Sequence, residues 1–209
     1  MSVLQTAFQK RLNRKYFVAG LQQIIFFFLF VYVFFNLLWG LNYNRQGISR
    51  QLGVSVKQYS LSDLDTLTSV IEDRLNKYAA LVTEAQRDSF NKKKTLFIES
   101  AIAYKAAAQQ FPFLKYTPPS VKPSLFSYLG NYLGFQGYYN PFSGEAQGEH
   151  NRSPVPRAFV TTHEIAHQLG YAKENEANFV AFLACRNYES PVFKYSMYFD
   201  MYNYSIGEV

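Results

Sequence analysis

The chain has 209 residues, enough for one domain with a real core or for a smaller domain plus an anchor. Only 17% of residues are charged and 18% are aromatic, with a net charge of +6. The basic excess is local (Lys10, Arg11, Arg14 and Lys15, then Lys92 to Lys94) and lacks the clustered face or motif of a nucleic-acid binder, while the single cysteine, Cys185, excludes an intrachain disulfide and a cysteine-based zinc site.

Residues 1–15 read as a basic N-terminal flank. Residues 16–44 carry no charged side chain, and Ile24 to Trp39 is nearly all Phe, Leu, Ile and Val, interrupted by Tyr32 and Asn36. As a helix, Phe17 to Leu41 is about 37 Å long. That length spans a bilayer core of about 30 Å with some tilt. Trp39 and Tyr43 suit an interfacial belt, and Arg45 closes the segment. The apolar run is too long for a cleavable signal peptide and no small-residue cleavage site follows it. Four basic residues precede the span, against Arg45, Arg50 and Lys57 after it, which places the C-terminal part on the non-cytoplasmic side.

Residues 45–60 read as a juxtamembrane linker, and residues 61–209 as the main domain. A helix capped by Ser60 or Ser62 is predicted from the helical spacing of Leu64, Leu67, Ile71, Leu75, Tyr78 and Val82. A second runs from about Lys92 to Gln110 through Leu96, Ile98, Ala101, Ile102 and Lys105, and ends at Phe111-Pro112. Thr117 to Pro123 is a proline-rich loop. Ser124 to Gln147, rich in Gly, Tyr and Phe, suits short strands and turns, with a short helix an option for Leu125 to Leu133. Two further helices are predicted, Arg157 to Leu169, stopped by Gly170, and Lys173 to Asn187, apolar all round from Ala177 to Cys185 and therefore buried. Both are too short to cross a membrane.

The third of these helices holds His163-Glu164-Ile165-Ala166-His167, the pattern H-E-x-x-H. Residues four apart share a helix face, so His163 and His167 present two imidazoles to one zinc ion, with Glu164 placed as general base. A catalytic zinc needs a third protein ligand. Glu174, at the start of the next helix, is within reach across the Gly170 turn, and Glu176 is the alternative if the turn is longer. Asn178, four residues after Glu174, could hydrogen-bond a ligand from behind. His150 is read as a surface residue. Tyr195, Tyr198 and Arg157 qualify as oxyanion donors by residue type only. The substrate would add as a further strand on a sheet edge, for which Gly144 to Gln147 is the candidate.

The run His163 to Phe179 resembles an uncharacterised family of bacterial integral-membrane proteins that carry a zinc-peptidase motif. Leu38 to Tyr43, Val121 to Phe126, Gly137 to Gln147 and Tyr195-Ser196 are similar to that family too. The likeness covers nearly the whole chain and departs at Gly148 to Arg157, where His150 and Arg152 lie. It implies a membrane protein with an inferred zinc-peptidase activity, further membrane segments upstream, and a sequence that is part of a longer one. Glu174-Asn175-Glu176-Ala177-Asn178 also resembles the E-x-x-A-(D/N) signature of other zinc peptidases, which implies Glu174 as third ligand. The triplet Asn175-Glu176-Ala177 resembles thermolysin-like enzymes, which implies Glu176.

The expectation is a mainly α protein: an N-terminal transmembrane helix, then a helical zincin-like domain with a short β or loop segment before the metal helix. Its function is hydrolysis of peptide bonds at a Zn2+ site made by His163, His167 and Glu174, with Glu164 as catalytic base. Its partners are the lipid bilayer and a peptide or protein substrate, with no nucleic acid. The first alternative is a membrane scaffold whose zinc only staples two helices. The second is a helical membrane protein in which the motif holds no metal.

Overall fold

The computed structural model describes residues 14–124, 137–148 and 154–208. It is mainly helical, with one small sheet of three strands. The chain divides into two compact units, residues 1–41 and residues 42–209.

In the first unit, α1 (Arg14–Leu38) follows the uncharged run. From Tyr16 to Leu38 it is long and apolar enough to cross a membrane. Its large side chains point outward; Phe17 and Phe26 are each 71% exposed. The one amide in its last turns is satisfied within the helix, Asn36 Nδ2 donating to the Tyr32 carbonyl at 2.8 Å.

The second unit begins with the segment read as a linker. It carries a short helix, α2 (Ile48–Leu52), and Ile48 is buried in a core cluster with Tyr171, Ala177 and Val180. Ser60 caps α3 (Leu61–Leu81) through a capping box: its Oγ accepts from the Asp63 N–H, and the Asp63 carboxylate accepts from the Ser60 N–H. Leu64 and Ile71 are buried as predicted, but Leu67 is exposed, because α3 packs chiefly on one neighbour, the C-terminal helix. A helix not expected from periodicity, α4 (Glu84–Asn91), starts at a second capping box made by Thr83 and Gln86.

Helix α5 (Lys93–Gln110) is where it was predicted. Leu96, Ser100, Ala103, Tyr104 and Ala107 are inside, whereas Ile98 is 49% and Ile102 41% exposed. The polar members of the buried face are satisfied: Ser100 Oγ donates to the Leu96 carbonyl and Tyr104 Oη to the Thr162 carbonyl, at 2.8 and 2.6 Å. The alanines let α5 approach its neighbours closely.

The sheet has the order β1 (Val121–Pro123), β3 (Glu145–Gly148), β2 (Gly137–Asn140). β3 pairs parallel with β1 and antiparallel with β2, with Tyr138 opposite Gln147. The stretch Gly144 to Gln147, expected to be an exposed edge, is therefore corrected: it leads into and forms most of the central strand, its backbone occupied on both sides and Ala146 fully buried. Part of the loop predicted at Thr117 to Pro123 is the strand β1. Residues 125–133, considered above as a short helix, lie outside the described residues, as do His150 and Arg152.

The C-terminal part is a three-helix layer of α6 (Pro154–Gln168), α7 (Glu174–Arg186) and α8 (Pro191–Gly207). Pro154 and Pro156 are tolerated because the first turn of a helix has no use for their missing N–H groups. α6 ends in a Schellman arrangement. Gly170 takes φ +90°, its N–H donates to the His167 carbonyl at 2.8 Å, and the Tyr171 N–H donates to the Ala166 carbonyl at 3.1 Å.

Candidate metal centre

The site is built on the last turns of α6. Thr161 and Thr162, buried just before the motif, spend their hydroxyls on carbonyls of the preceding turn, those of Arg157 and Phe159, at 2.7 Å each. Tyr104 clamps the Thr162 carbonyl from α5. Gln168 pins the end of α6 to the sheet, donating to the Gly144 carbonyl at 2.6 Å and accepting from Tyr116 Oη at 2.7 Å. The helix carrying the two histidines is thus fixed from three sides.

His163, His167 and Glu174 come together as the spacing argument required. Their three candidate ligand atoms lie within 4.8 Å of one another, so the group could hold a metal ion. His163 Nε2 is 3.1 Å and His167 Nε2 3.4 Å from the two oxygens of Glu174. Both imidazoles are largely buried, while Glu174 is exposed at the start of α7.

The far nitrogens are held too. His167 Nδ1 is 2.7 Å from the Tyr171 carbonyl and His163 Nδ1 is 2.6 Å from Asn178 Oδ1. A carbonyl can only accept, so His167 carries its proton on Nδ1. Its Nε2 lone pair then faces the Glu174 carboxylate. Two acceptors so oriented are reconciled by a cation or a proton between them. The donor set, two imidazoles and a carboxylate, suits a divalent transition metal.

Glu176 lies elsewhere. Its Oε1 is 3.8 Å from Lys173 Nζ, and a Cβ on Gly47 would meet the same atom at 2.7 Å. The short Schellman turn settles the phase of α7, so that Glu174 and Asn178 share the face toward the histidines.

Glu164 is buried beside the pair, and its Oε2 has no hydrogen-bond partner among the described residues. Burial pushes its carboxyl up to about 7, against the pull of His163 and with the help of Glu174. Burial pulls His163 down, but the Glu174 hydrogen bond and the Glu164 and Glu174 charges lift it above the ordinary value. His167 is lowered by burial and by its neighbour His163. Glu174 is lowered, first by its hydrogen bond from His163.

The strand that approaches Glu164 is β2. A Cβ on Gly137 would stand 2.6 Å from Glu164 Oε1 and 2.7 Å from its Cγ, so a glycine is needed where β2 crosses the carboxylate. Among the described residues the outer edge of β2 has no strand partner.

The oxyanion candidates are not brought to the site. Tyr198 stacks on Tyr78 at 5.6 Å, Tyr195 packs in the second core cluster with the Arg87 guanidinium over its ring, and Arg157 donates to Asn91 Oδ1 at 2.8 Å. Two other residues of α8 face the centre instead. Tyr204 Oη accepts from Asn178 Nδ2 behind His163. Asp200, one turn earlier, places a buried Oδ2 with no hydrogen-bond partner among the described residues. Burial raises the Asp200 carboxyl to about 7, opposed by His163. A helical reading of residues 191–207 would have put 196, 200 and 204 on one face, the face on which Ser196 Oγ accepts from the Phe159 N–H of α6.

No curated protein and no solved structure matches the chain. A family model does, over residues 1–209, and by that match the chain belongs to the family described as protein of unknown function DUF3810.

Proposed function

We propose that the protein is a membrane-anchored zinc metallopeptidase of the H-E-x-x-H type. The observation that carries this reading is the convergence of His163, His167 and Glu174 on one point beside a buried Glu164 whose Oε2 has no hydrogen-bond partner among the described residues. His163, His167 and Glu174 would hold the zinc ion, which when bound acidifies water and polarises a substrate carbonyl. Glu164, held near neutrality by burial, takes the proton of the attacking water and delivers it to the leaving amine. The hydrogen bonds from Nδ1 of each histidine keep both Nε2 atoms turned toward Glu174. The apolar helix α1 is the anchor, and the basic residues before it orient the domain away from the cytoplasm.

The test compares wild type with Glu164→Gln and His167→Ala, by metal analysis and on a peptide library. Zinc at one equivalent in wild type and in Glu164→Gln, with loss in His167→Ala, supports the ligand set. Cleavage lost in Glu164→Gln by about a hundredfold or more supports the base. Equal cleavage by both, or none by either, sinks the peptidase reading; zinc bound without cleavage leaves a metal staple between two helices, and no zinc leaves a helical membrane protein without a metal.

A further inference from the structure

We infer that residues 42–52, a few positions after the apolar helix in the chain, form a strap that positions His167, with Arg45 holding the turn whose Tyr171 carbonyl receives the His167 Nδ1 proton. The inference rests on the metal-centre reading for its functional meaning, and on four contacts for its geometry.

Arg45 Nη1 donates to the Leu169 carbonyl at 2.6 Å. That carbonyl is among the last of α6, where the helix has no internal donor left to offer and a cation is favoured. The Arg45 guanidinium also lies over the Tyr171 ring, 4.7 Å from its centroid. From the other end of the segment, Gln51 Oε1 accepts from Tyr171 Oη at 2.6 Å. The Arg45 and Asn42 side chains lie close enough to Gly170 that a Cβ there would meet Arg45 Nη1 at 2.7 Å and Asn42 Oδ1 at 3.2 Å. Tyr171 is therefore gripped by ring face, by hydroxyl and through its chain neighbour, while its carbonyl sits 2.7 Å from His167 Nδ1.

Two features size the effect. The Schellman bonds of Gly170 and Tyr171 hold the turn without the strap. Arg45 is exposed, so its charge is screened. Losing a partner that touches a ligand directly costs metal affinity about 10- to 100-fold. Arg45 acts one contact further out, through the turn, and about three- to tenfold is expected.

The experiment uses the full chain in detergent micelles with Arg45→Ala, Arg45→Lys and Arg50→Ala. Zinc affinity is read by chelator competition, ligand geometry by the visible spectrum of the cobalt form, and the His167 tautomer by ring 15N shifts in metal-free protein. Wild type should show the Nδ1–H tautomer. Arg45→Ala should weaken zinc binding three- to tenfold, shift the cobalt bands and mix the His167 tautomers. Arg45→Lys, which keeps a donor but not the planar stack, should fall between. Arg50→Ala, an exposed change on the same segment, should match wild type. If Arg45→Ala does not fold, the same readouts on Arg45→Lys decide. Wild-type tautomer, cobalt spectrum and zinc affinity within twofold in the Arg45 variants would overturn the strap and leave the metal centre standing. Mixed tautomers in a protein whose wild type binds no zinc would overturn the metal centre and leave the strap.

Discussion

Gly137→Ala is the smallest change that tests the catalytic reading. The added methyl would sit 2.6 Å from Glu164 Oε1, 2.7 Å from Cγ and 2.9 Å from Cδ. Carbon contacts settle at about 3.5–4.0 Å, so the strand and the carboxylate must part by about 1 Å. The strand is held by its ladder to β3, with Gly137 opposite Gly148, so most of the movement falls on Glu164. Overpacking of this kind costs about 1–3 kcal/mol of stability. A 1 Å misplacement of a reacting group costs about a hundredfold in rate, or about 2.7 kcal/mol of barrier. The metal ligands are untouched. The assay pairs urea denaturation and zinc affinity with hydrolysis of whichever library peptide the wild type cleaves. The expected pattern is a modest loss of stability, zinc affinity within twofold of wild type and hydrolysis about a hundredfold lower. Wild-type hydrolysis with unchanged stability would refute the role given to the Gly137–Glu164 contact. Zinc and hydrolysis lost in parallel would refute it as well, since the damage would then lie in the ligands.

Gly170→Ala should lose about 1–2 kcal/mol in a urea melt, because a side chain at φ +90° is strained and its Cβ collides with Arg45; an unchanged midpoint would contradict the turn. Asp200→Asn should stabilise the protein at about pH 8 and not at about pH 4. The native carboxyl titrates at about 7, against an ordinary 3.8, so the native state holds its proton more tightly than the unfolded chain, and stability is lost as pH rises between those values. The gain at the higher pH is on the order of 2–4 kcal/mol, and a flat pH difference between variant and wild type would speak against it. Removing metal with a chelator should lower wild-type stability by about 2.7 kcal/mol relative to free zinc at a hundred times its dissociation constant, and leave His167→Ala unmoved.

Much of the candidate metal site was legible because it is local. A repeat of four along one helix, a glycine stop and an acidic residue four positions past that stop constrain each other within about a dozen residues. The apolar helix was legible for the same reason, since a long uncharged apolar run is visible in length and composition alone. That Gly144 to Gln147 is not an exposed edge was not legible, because which strand is central depends on pairing between separate segments of the chain. The buried face of α5 was not legible, because Ser100 and Tyr104 read as polar until the carbonyls of Leu96 and Thr162 are seen to satisfy them.

Sequence alone determined the helical class, the long apolar helix, the two histidines with their glutamates, and the reach of Glu174 across Gly170. These follow from helix geometry and backbone sterics, which act over a few residues. Only the tertiary structure decided that β2 lies against Glu164, that Tyr204 and Asp200 rather than Tyr195 and Tyr198 face the centre, and that Arg45 reaches the turn at Leu169. Those contacts join residues 26 to 124 positions apart, or depend on how one helix face is rotated against another. No local propensity specifies them; they follow from close packing of the whole unit.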